Sequence, residues 1–261
     1  MCRWLAYSGP SIHPDEFLFR AENSLIDQSL SAQLGTTPTN GDGFGLGWYG
    51  AREDPGLFRD VHPAWNDDNL KSVAEQVSSS LFYAHVRAST FAGISRYNCH
   101  PFRHGRWLFM HNGQIGGYDD IRRDIDDLIS PSLYRHRLGA TDSEAFFLIL
   151  LSNGLAENPK AAFEKTVAAV ERIMQAAGVE APLRLTATAT DGEAIYAIRY
   201  ASDDHAPSLY LGIARTKGEV SLTILSEPLT SVKEDWREVP RSHFVIAGDG
   251  AFIEEPFAPH G

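Results

Sequence analysis

The chain reads LRLTATATDGEAIYAIRY from Leu183 to Tyr200, and this stretch carries the clearest signal of its fold. Apolar and polar residues alternate on both sides of Asp191-Gly192, a pattern typical of two β-strands joined by a tight turn. The same alternation predicts further strands at 208–213, 220–226, 243–247 and 251–255. The last third of the chain is therefore predicted to consist of strands.

Strands also open the chain, and helices fill its middle. The first eight residues are apolar and aromatic, which predicts a buried strand that begins beside Cys2. Two more strands are predicted at 81–87 and 106–111. Helices are predicted at 66–77, 117–128, 142–152 and 159–177. This order of strands, helices and strands predicts an α+β fold, and we expect one domain over residues 1–261.

Glycine recurs at every second position from Gly41 to Gly47. A phosphate-binding loop would end in Gly-Lys-Ser/Thr, and a dinucleotide fingerprint would show G-x-G-x-x-G spacing, so neither fits. A period of two indicates a strand with one bare face, against which a neighbouring segment or a ligand packs closely.

Composition narrows the classes of function. The chain has 23 Lys and Arg against 34 Asp and Glu, a net charge of −11, which argues against binding to nucleic acid or anionic lipid. No apolar stretch approaches the ~18 residues of a membrane span, and the start lacks the apolar centre of a signal peptide, so we expect a cytoplasmic protein. With two cysteines, Cys2 and Cys99, a structural disulfide is not expected, and Cys99 is interpreted as a small core residue.

Cys2 is a candidate nucleophile because of its position. Removal of Met1 would place a thiol and an α-amine on one residue, and an α-amine with a pKa near ~8 accepts the thiol proton around neutral pH. Free cysteine is also common as a small buried hydrophobe, so position alone does not decide its role.

Other polar residues have ordinary structural interpretations when each is taken singly. Arg87 fits a surface ion pair, Asn112-Gly113 a type I′ turn, and His100 a core histidine with satisfied hydrogen bonds. The run from Thr141 to Glu144 fits a helix capping box, in which Asp142 lies near the positive end of the helix dipole.

The order of these motifs resembles the class II glutamine amidotransferases, which are N-terminal-nucleophile hydrolases. A terminal Cys is followed by H-x-R-x-x-T, N-x-H-P, H-N-G and T-D-x-E, which begin at His85, Asn98, His111 and Thr141. The resemblance runs from Cys2 to about Leu151, and the later strands are compatible with it. It implies a four-layer αββα sandwich.

The resemblance also implies a role for each matching catalytic position. Cys2 matches the nucleophile, and Asn112 with the backbone N–H of Gly113 matches the oxyanion hole. Arg87 matches the arginine that binds the substrate α-carboxylate, and Asp142 matches the acid that binds its α-ammonium group.

Two further positions match the family's pocket lining, namely Thr90 and His100. After the threonine, the amidotransferases of sugar metabolism usually carry a histidine, whereas this chain has Phe91. This departure bears on gating or coupling to a synthase and not on the cleavage step.

Together these roles predict hydrolysis of the side-chain amide of glutamine, or of another γ-glutamyl amide, through a Cys2 thioester. The products would be glutamate and ammonia or an amine. The chemistry requires no metal and no organic cofactor. A zinc site formed by His100, His104 and His111 is an alternative, but no acid or thiol completes a set with recognisable ligand spacing.

Three interpretations of the physiological role remain open at this stage. The chain ends at 261 without room for a synthase domain, so we expect a stand-alone enzyme acting on a small molecule, either for itself or for a separate ammonia-acceptor subunit. Ser226-Glu227-Pro228-Leu229 and the run 236–240 also resemble small enzymes that remove γ-glutamyl groups from thiol metabolites, in ergothioneine biosynthesis or glutathione breakdown. A non-catalytic glutamine-binding regulator would need Arg87 and Asp142 but not Cys2, and the presence of a nucleophile argues against it.

Overall fold

The computed structural model describes residues 2–34, 38–88 and 93–259. Most of the β-strands lie in the first third and the last third of the chain. The strands are β1 (Arg3–Ile12), β2 (Phe44–Trp48), β3 (Gly56–Asp60), β4 (Ser79–Val86), β5 (Phe102–His104), β6 (Trp107–Gln114), β7 (Arg184–Thr190), β8 (Ile195–Ala201), β9 (Tyr210–Thr216), β10 (Glu219–Leu225), β11 (Trp236–Glu238), β12 (His243–Gly248) and β13 (Ala251–Pro256). The helices are α1 (Asp15–Leu18), α2 (Leu25–Leu30), α3 (Asp68–Gln76), α4 (Tyr118–Asp126), α5 (Pro131–Tyr134), α6 (Asp142–Ser152) and α7 (Pro159–Ala176).

The strands form two antiparallel sheets. The first sheet has seven strands in the spatial order β11-β9-β10-β1-β4-β2-β3, and the second has six in the order β13-β12-β8-β7-β6-β5. The predicted hairpin across Asp191-Gly192 joins β7 to β8, with Thr190 opposite Ile195. In the first sheet, β1 lies between β10 and β4, so the first strand of the chain is a central strand.

Three apolar cores separate four layers, and side-chain alternation along β1 shows how. Trp4 and Ala6 point into the core between the two sheets. Leu5 and Tyr7 point to the opposite face, where α1, α2 and α3 pack. On the second sheet, alternate residues such as Phe109 pack against α4, α6 and α7. Successive strand residues face opposite sides of a sheet, and a core lies on each side, so both faces of each sheet are covered. The α+β sandwich predicted from the sequence is confirmed.

Most predicted elements are present, with differences of a few residues at their ends. The segment Asn112-Gly113 is not a turn, because β6 continues through it to Gln114. The helix predicted at 66–77 begins at Asp68 and is capped by Asp67, whose side chain accepts a hydrogen bond from the Leu70 N–H. Several short elements have no counterpart among the predictions, including α2, α5, β3, β5 and β11.

The glycine run forms β2, as its spacing predicts. A Cβ atom on Gly45 would overlap the carbonyl oxygen of His100, and one on Gly47 would lie 2.9 Å from Pro101. The bare face of this strand therefore accommodates the His100-Pro101 segment. None of the helices in the described ranges is long and apolar enough to cross a membrane.

Candidate active site

A cavity of about 460 Å³ lies where β1 begins and β4 and β6 end, near the first turns of α4 and α6. Five of the seven site residues predicted from the sequence line it, although they are far apart along the chain: Cys2, Arg87, His100, Gly113 and Asp142. A cavity of this size is in the range that encloses a small organic ligand. The fold thus brings these five candidates to one place.

Cys2 and Arg87 are neighbours because of the register between β1 and β4. Arg3 is opposite Val86, so each of the two residues lies one position beyond the last pair of this ladder. The Cys2 thiol points to the Ala88 carbonyl oxygen, with an Sγ to O distance of 3.6 Å. Burial raises the pKa of the Cys2 thiol, and the nearby positive charges of Arg87 and Arg3 act in the opposite direction.

Arg87 is buried, with 4% of its surface exposed, so it is not a surface ion-pair residue. Its main chain exchanges hydrogen bonds with the segment before β2, from Asp42 N–H to the Arg87 carbonyl at 2.9 Å and from Arg87 N–H to the Gly43 carbonyl at 2.8 Å. Its Nη1 donates to the Asp42 carbonyl at 3.2 Å. A guanidinium group is thereby held at the cavity wall, where its planar donors suit a carboxylate.

Asn112 and Gly113 lie near the end of β6, opposite Thr186 and Leu185 of β7. Gly113 has φ +150°, which L side chains rarely adopt. The Asn112 side chain is buried, and its amide oxygen and nitrogen have no hydrogen-bond partner among the described residues. Since a buried polar group without a partner costs about 1–3 kcal/mol, such a group is a candidate for a functional role. Gly113 lines the cavity, whereas Asn112 lies directly behind it in the chain and does not.

Asp142 is the first residue of α6. Only half of the predicted capping box forms: the Thr141 hydroxyl accepts the Glu144 N–H at 3.2 Å, whereas the Glu144 carboxylate accepts the N–H groups of Leu138 and Gly139. Asp142 does more than face the helix dipole: its Oδ2 accepts the Ile115 N–H at 2.9 Å, and its Oδ1 accepts the Ser143 N–H at 2.7 Å. The carboxylate is fixed between two elements at the cavity wall, a suitable position for accepting an ammonium group.

Three histidines near the cavity are buried, and two of them, His100 and His111, line it. The rings of His85 and His100 stack with their centroids 4.2 Å apart, and Nδ1 of His111 lies 2.8 Å from the Ser143 hydroxyl. Burial lowers the pKa of His85 to about 3 and lowers the pKa of His100 and His111 in the same direction, so all three are neutral at neutral pH.

His100 is not a core histidine with satisfied hydrogen bonds, because neither of its ring nitrogens has a partner in the described part of the chain. The zinc interpretation also fails on geometry. The His104 ring packs on His136, with centroids 4.8 Å apart. Over residues 2–34, 38–88 and 93–259, no three His, Cys, Asp or Glu side chains form a group able to hold a metal ion.

Two of the positions discussed from the sequence, Thr90 and Phe91, lie outside the described residues. Ile115, Tyr118 and Ser143 line the cavity but were not singled out from the sequence. Each lies within a few residues of the H-N-G or T-D-x-E motif, and this proximity was the available signal.

A comparison with protein families gives a match to the model described as "Glutamine amidotransferases class-II", over residues 19–206. This chain belongs to the class II glutamine amidotransferases. It is therefore an enzyme, as the motif order predicted. The matched range includes Arg87, Asn112, Gly113 and Asp142, and it begins after Cys2.

One curated relative of this amidotransferase matches nearly its whole length, and a second matches less than half of it. It is 33% identical to the "Probable glutamine amidotransferase DUG3" of Saccharomyces cerevisiae, over 98% of this chain and 84% of the yeast protein. It is 31% identical to the "Gamma-glutamyl-hercynylcysteine sulfoxide hydrolase" of Mycolicibacterium smegmatis, over 44% of this chain and 52% of that protein.

Among solved structures, the amidotransferase is similar to a glutamine aminotransferase class-II domain protein from Silicibacter pomeroyi. The TM-score is 0.79 and the identity 36%, and both chains are covered completely. The glutamine phosphoribosylpyrophosphate amidotransferase of B. subtilis superposes with a TM-score of 0.67 at 13% identity, over 99% of this chain and 50% of that one. The second comparison concerns the fold alone.

Proposed function

We propose that this amidotransferase hydrolyses the γ-amide bond of glutamine or of a γ-glutamyl compound through a thioester on Cys2. The observation that carries the proposal is the common cavity of Cys2, Arg87, Gly113 and Asp142. A nucleophile, a backbone N–H donor, a cation and an anion are the four groups needed to attack an amide and to bind a free amino-acid end.

The reaction begins once removal of Met1 has freed the α-amine of Cys2. The amine accepts the Sγ proton, and the thiolate attacks the amide carbon. The carbonyl oxygen becomes an oxyanion, which the N–H of Gly113 stabilises at the cavity wall; the Asn112 side-chain amide, buried behind that wall without a partner among the described residues, is the second proposed donor. The C–N bond then breaks, and the α-ammonium group returns its proton to the leaving nitrogen. Water attacks the thioester, gives a proton to the amine and releases glutamate, and the thiol is restored.

Recognition of the glutamyl end follows from the two charged residues. Arg87 binds the α-carboxylate through its planar donors. Asp142, already fixed by Ile115 and Ser143, binds the α-ammonium group. Because both residues line the cavity that holds Cys2, a bound glutamyl group spans from the charged pair to the nucleophile.

A second candidate function differs in the leaving group, which is an amine-bearing metabolite instead of ammonia. The wall of the cavity continues over Gly116, Gly117 and Tyr118 into the first turn of α4, which is more space than a free amino acid needs. The Mycolicibacterium smegmatis relative is named as a hydrolase of γ-glutamyl-hercynylcysteine sulfoxide, a γ-glutamyl compound larger than glutamine. This supports γ-glutamyl peptides or thiols as substrates; transfer of ammonia to a separate subunit is the other outcome.

The proposal is tested with purified protein and a panel of glutamine, glutathione and other γ-glutamyl amides, by measuring kcat/KM for glutamate release. We expect Cys2→Ala to lose turnover while remaining folded, and Cys99→Ala, the matched control at the other thiol, to retain it. Turnover by Cys2→Ala would overturn the nucleophile assignment. Binding of these compounds without turnover by the unaltered protein would instead support the regulator interpretation.

A second arm tests the α-amine. In a variant with residues fused ahead of an uncleaved Met1, the amine of Cys2 is an amide nitrogen and accepts no proton. We expect this variant to be inactive, and normal turnover would exclude the amine as the base.

A further inference from the structure

Arg3 follows the nucleophile directly and is buried inside the first sheet. Its side chain is 1% exposed, and the Glu227 side chain beside it is 2% exposed. The Nε atom of Arg3 lies 3.0 Å from Oε2 of Glu227. Charged side chains are almost never fully buried unless they are paired, and burying such a pair is expensive in free energy.

The same guanidinium group also contacts the nucleophile. Nη1 of Arg3 donates to the main-chain carbonyl of Cys2 at 2.8 Å. One planar group thus joins the Glu227 carboxylate to the carbonyl of Cys2. An apolar pair of similar volume would supply the packing of this ion pair but not the bond to Cys2.

Glu227 is itself held from several directions. Its carboxylate accepts the N–H groups of Gln33 and Leu34 at 3.1 and 3.0 Å, and the Asn23 side-chain amide at 3.3 Å. With Arg3 included, four residues donate to this carboxylate, so its position is fixed independently of Cys2.

The residue before Glu227 binds the strand that carries Cys2. The Ser226 N–H donates to the Trp4 carbonyl at 3.0 Å, and the Trp4 N–H donates to the Ser226 hydroxyl at 2.9 Å. These bonds extend the pairing between β1 and β10 towards the nucleophile. The segment after β10 is thereby attached to β1 at Arg3 and Trp4.

We propose that Arg3 and Glu227 are positioning residues that orient the main chain of Cys2, and with it the α-amine and the thiol. This rests on the proposed function. Holding the Cys2 carbonyl fixes rotation about the Cα–C bond, and the amine and the Cβ atom are attached to the same Cα. Small displacements of reacting groups cost large factors in rate. The pair therefore acts on catalysis through Cys2 and does not itself contact the substrate.

The test separates positioning from stability with two sets of variants in a Cys99→Ala background. In Arg3→Met/Glu227→Gln, the ion pair is removed while a side-chain oxygen at position 227 still accepts the Gln33 and Leu34 N–H groups, so the urea midpoint should be close to that of the parent. In Arg3→Lys, the ammonium group keeps the ion pair with Glu227 but has no planar donors to bond Cys2 as well. The control is Lys160→Met/Glu255→Met, which removes an ion pair that does not line the cavity.

For both Arg3 variants we expect kcat to fall roughly tenfold or more with KM little changed, because substrate contacts are intact. The pH dependence of the rate of Cys2 alkylation by iodoacetamide should shift to higher pH, because the α-amine is no longer oriented to accept the thiol proton. The control should match the parent in kcat, in KM and in the pH dependence of alkylation. Parental kcat and an unshifted alkylation profile in folded Arg3→Lys, or in the folded double variant, would overturn the proposal.

Alkylation also separates this inference from the proposed function. It reports on the Cys2 thiol without any γ-glutamyl substrate. If the parent protein released no glutamate from any member of the panel, the proposed function would fail, and the alkylation profiles of parent and variants would still decide whether Arg3 and Glu227 orient Cys2.

Discussion

The α-carbon of Gly113 lies directly against the main-chain carbonyl of Arg184. A Cβ atom at this position would overlap that oxygen, and φ at Gly113 is +150°. The contact joins β6 to β7 at the point where β6 reaches the cavity. Only glycine fits here without moving a strand.

Gly113→Ala is therefore expected to shift the N–H proposed for the oxyanion hole. We expect kcat to fall roughly 10²-fold or more, the range seen when one oxyanion donor is lost, and the free energy of unfolding to fall by about 1–3 kcal/mol from backbone strain. Urea unfolding and steady-state kinetics measure the two effects. Gly105→Ala is the control: Gly105 also has positive φ, but a Cβ there meets nothing within 4 Å, so only a small stability loss should follow. Equal kinetics for the two variants would contradict the role of Gly113.

Arg87→Lys tests recognition of the α-carboxylate. Lysine keeps the charge but loses the planar pair of donors, so we expect KM for glutamine to rise roughly 10- to 100-fold, the equivalent of about 1.5–3 kcal/mol. Arg122 also lines the cavity, and its side chain is 43% exposed. Arg122→Lys is accordingly the matched control, with little change in KM expected. An unchanged KM in Arg87→Lys would remove this residue from carboxylate binding.

Asp142→Asn tests recognition of the α-ammonium group with a substrate pair. The variant should lose kcat/KM for glutamine but lose little for the analogue in which hydrogen replaces the α-amino group, since that analogue has no cation to bind. Asp119→Asn, at an exposed lining residue in α4, is the control. Equal losses on both substrates would show that Asp142 supports the loop through Ile115 and does not bind the ammonium group.

The buried histidines predict sensitivity to acid. Burial lowers the pKa of His85 to about 3, whereas an exposed histidine in the unfolded chain has a pKa near ~6.5. Between these values the unfolded chain binds more protons, so the free energy of unfolding falls as the pH is lowered through that window. His85→Gln should flatten this dependence between pH 6 and 4, measured by urea unfolding at a series of pH values, to an extent on the order of 1 kcal/mol per pH unit.

His13→Gln provides the control for this measurement, because His13 is exposed. Its pH dependence should follow that of the parent. If His85→Gln and the parent lost stability in parallel below pH 6, protonation of His85 would not be the cause.

Much of the fold could be predicted because local alternation determines which face of a strand is buried. The hairpin from Leu183 to Tyr200 and the glycine strand are examples. The short strands β3 and β5 were missed because three to five residues show too little periodicity. The helix α2 was missed because its capping box uses Asp27 where Glu or Gln is usual.

The site was predictable as a set of residues but not as a geometry. Asn112-Gly113 has the sequence of a turn, and only its pairing with Thr186 and Leu185 shows that it lies in a strand. The tertiary context overrides the local preference there. Arg3 and Glu227 could have been noticed as charges beside apolar residues, but their contact joins positions 224 residues apart, which no local pattern reveals.

The placement of β1 between β4 and β10 has a consequence for biosynthesis. Leu5 pairs with Leu225, so the strand beside the thiol is completed only by residues that leave the ribosome long after it. Contacts so distant in sequence form slowly and late. A nascent or truncated chain lacking β10 would thus carry Cys2 on an unfinished sheet edge, and the cavity would be assembled only after β10 had been made.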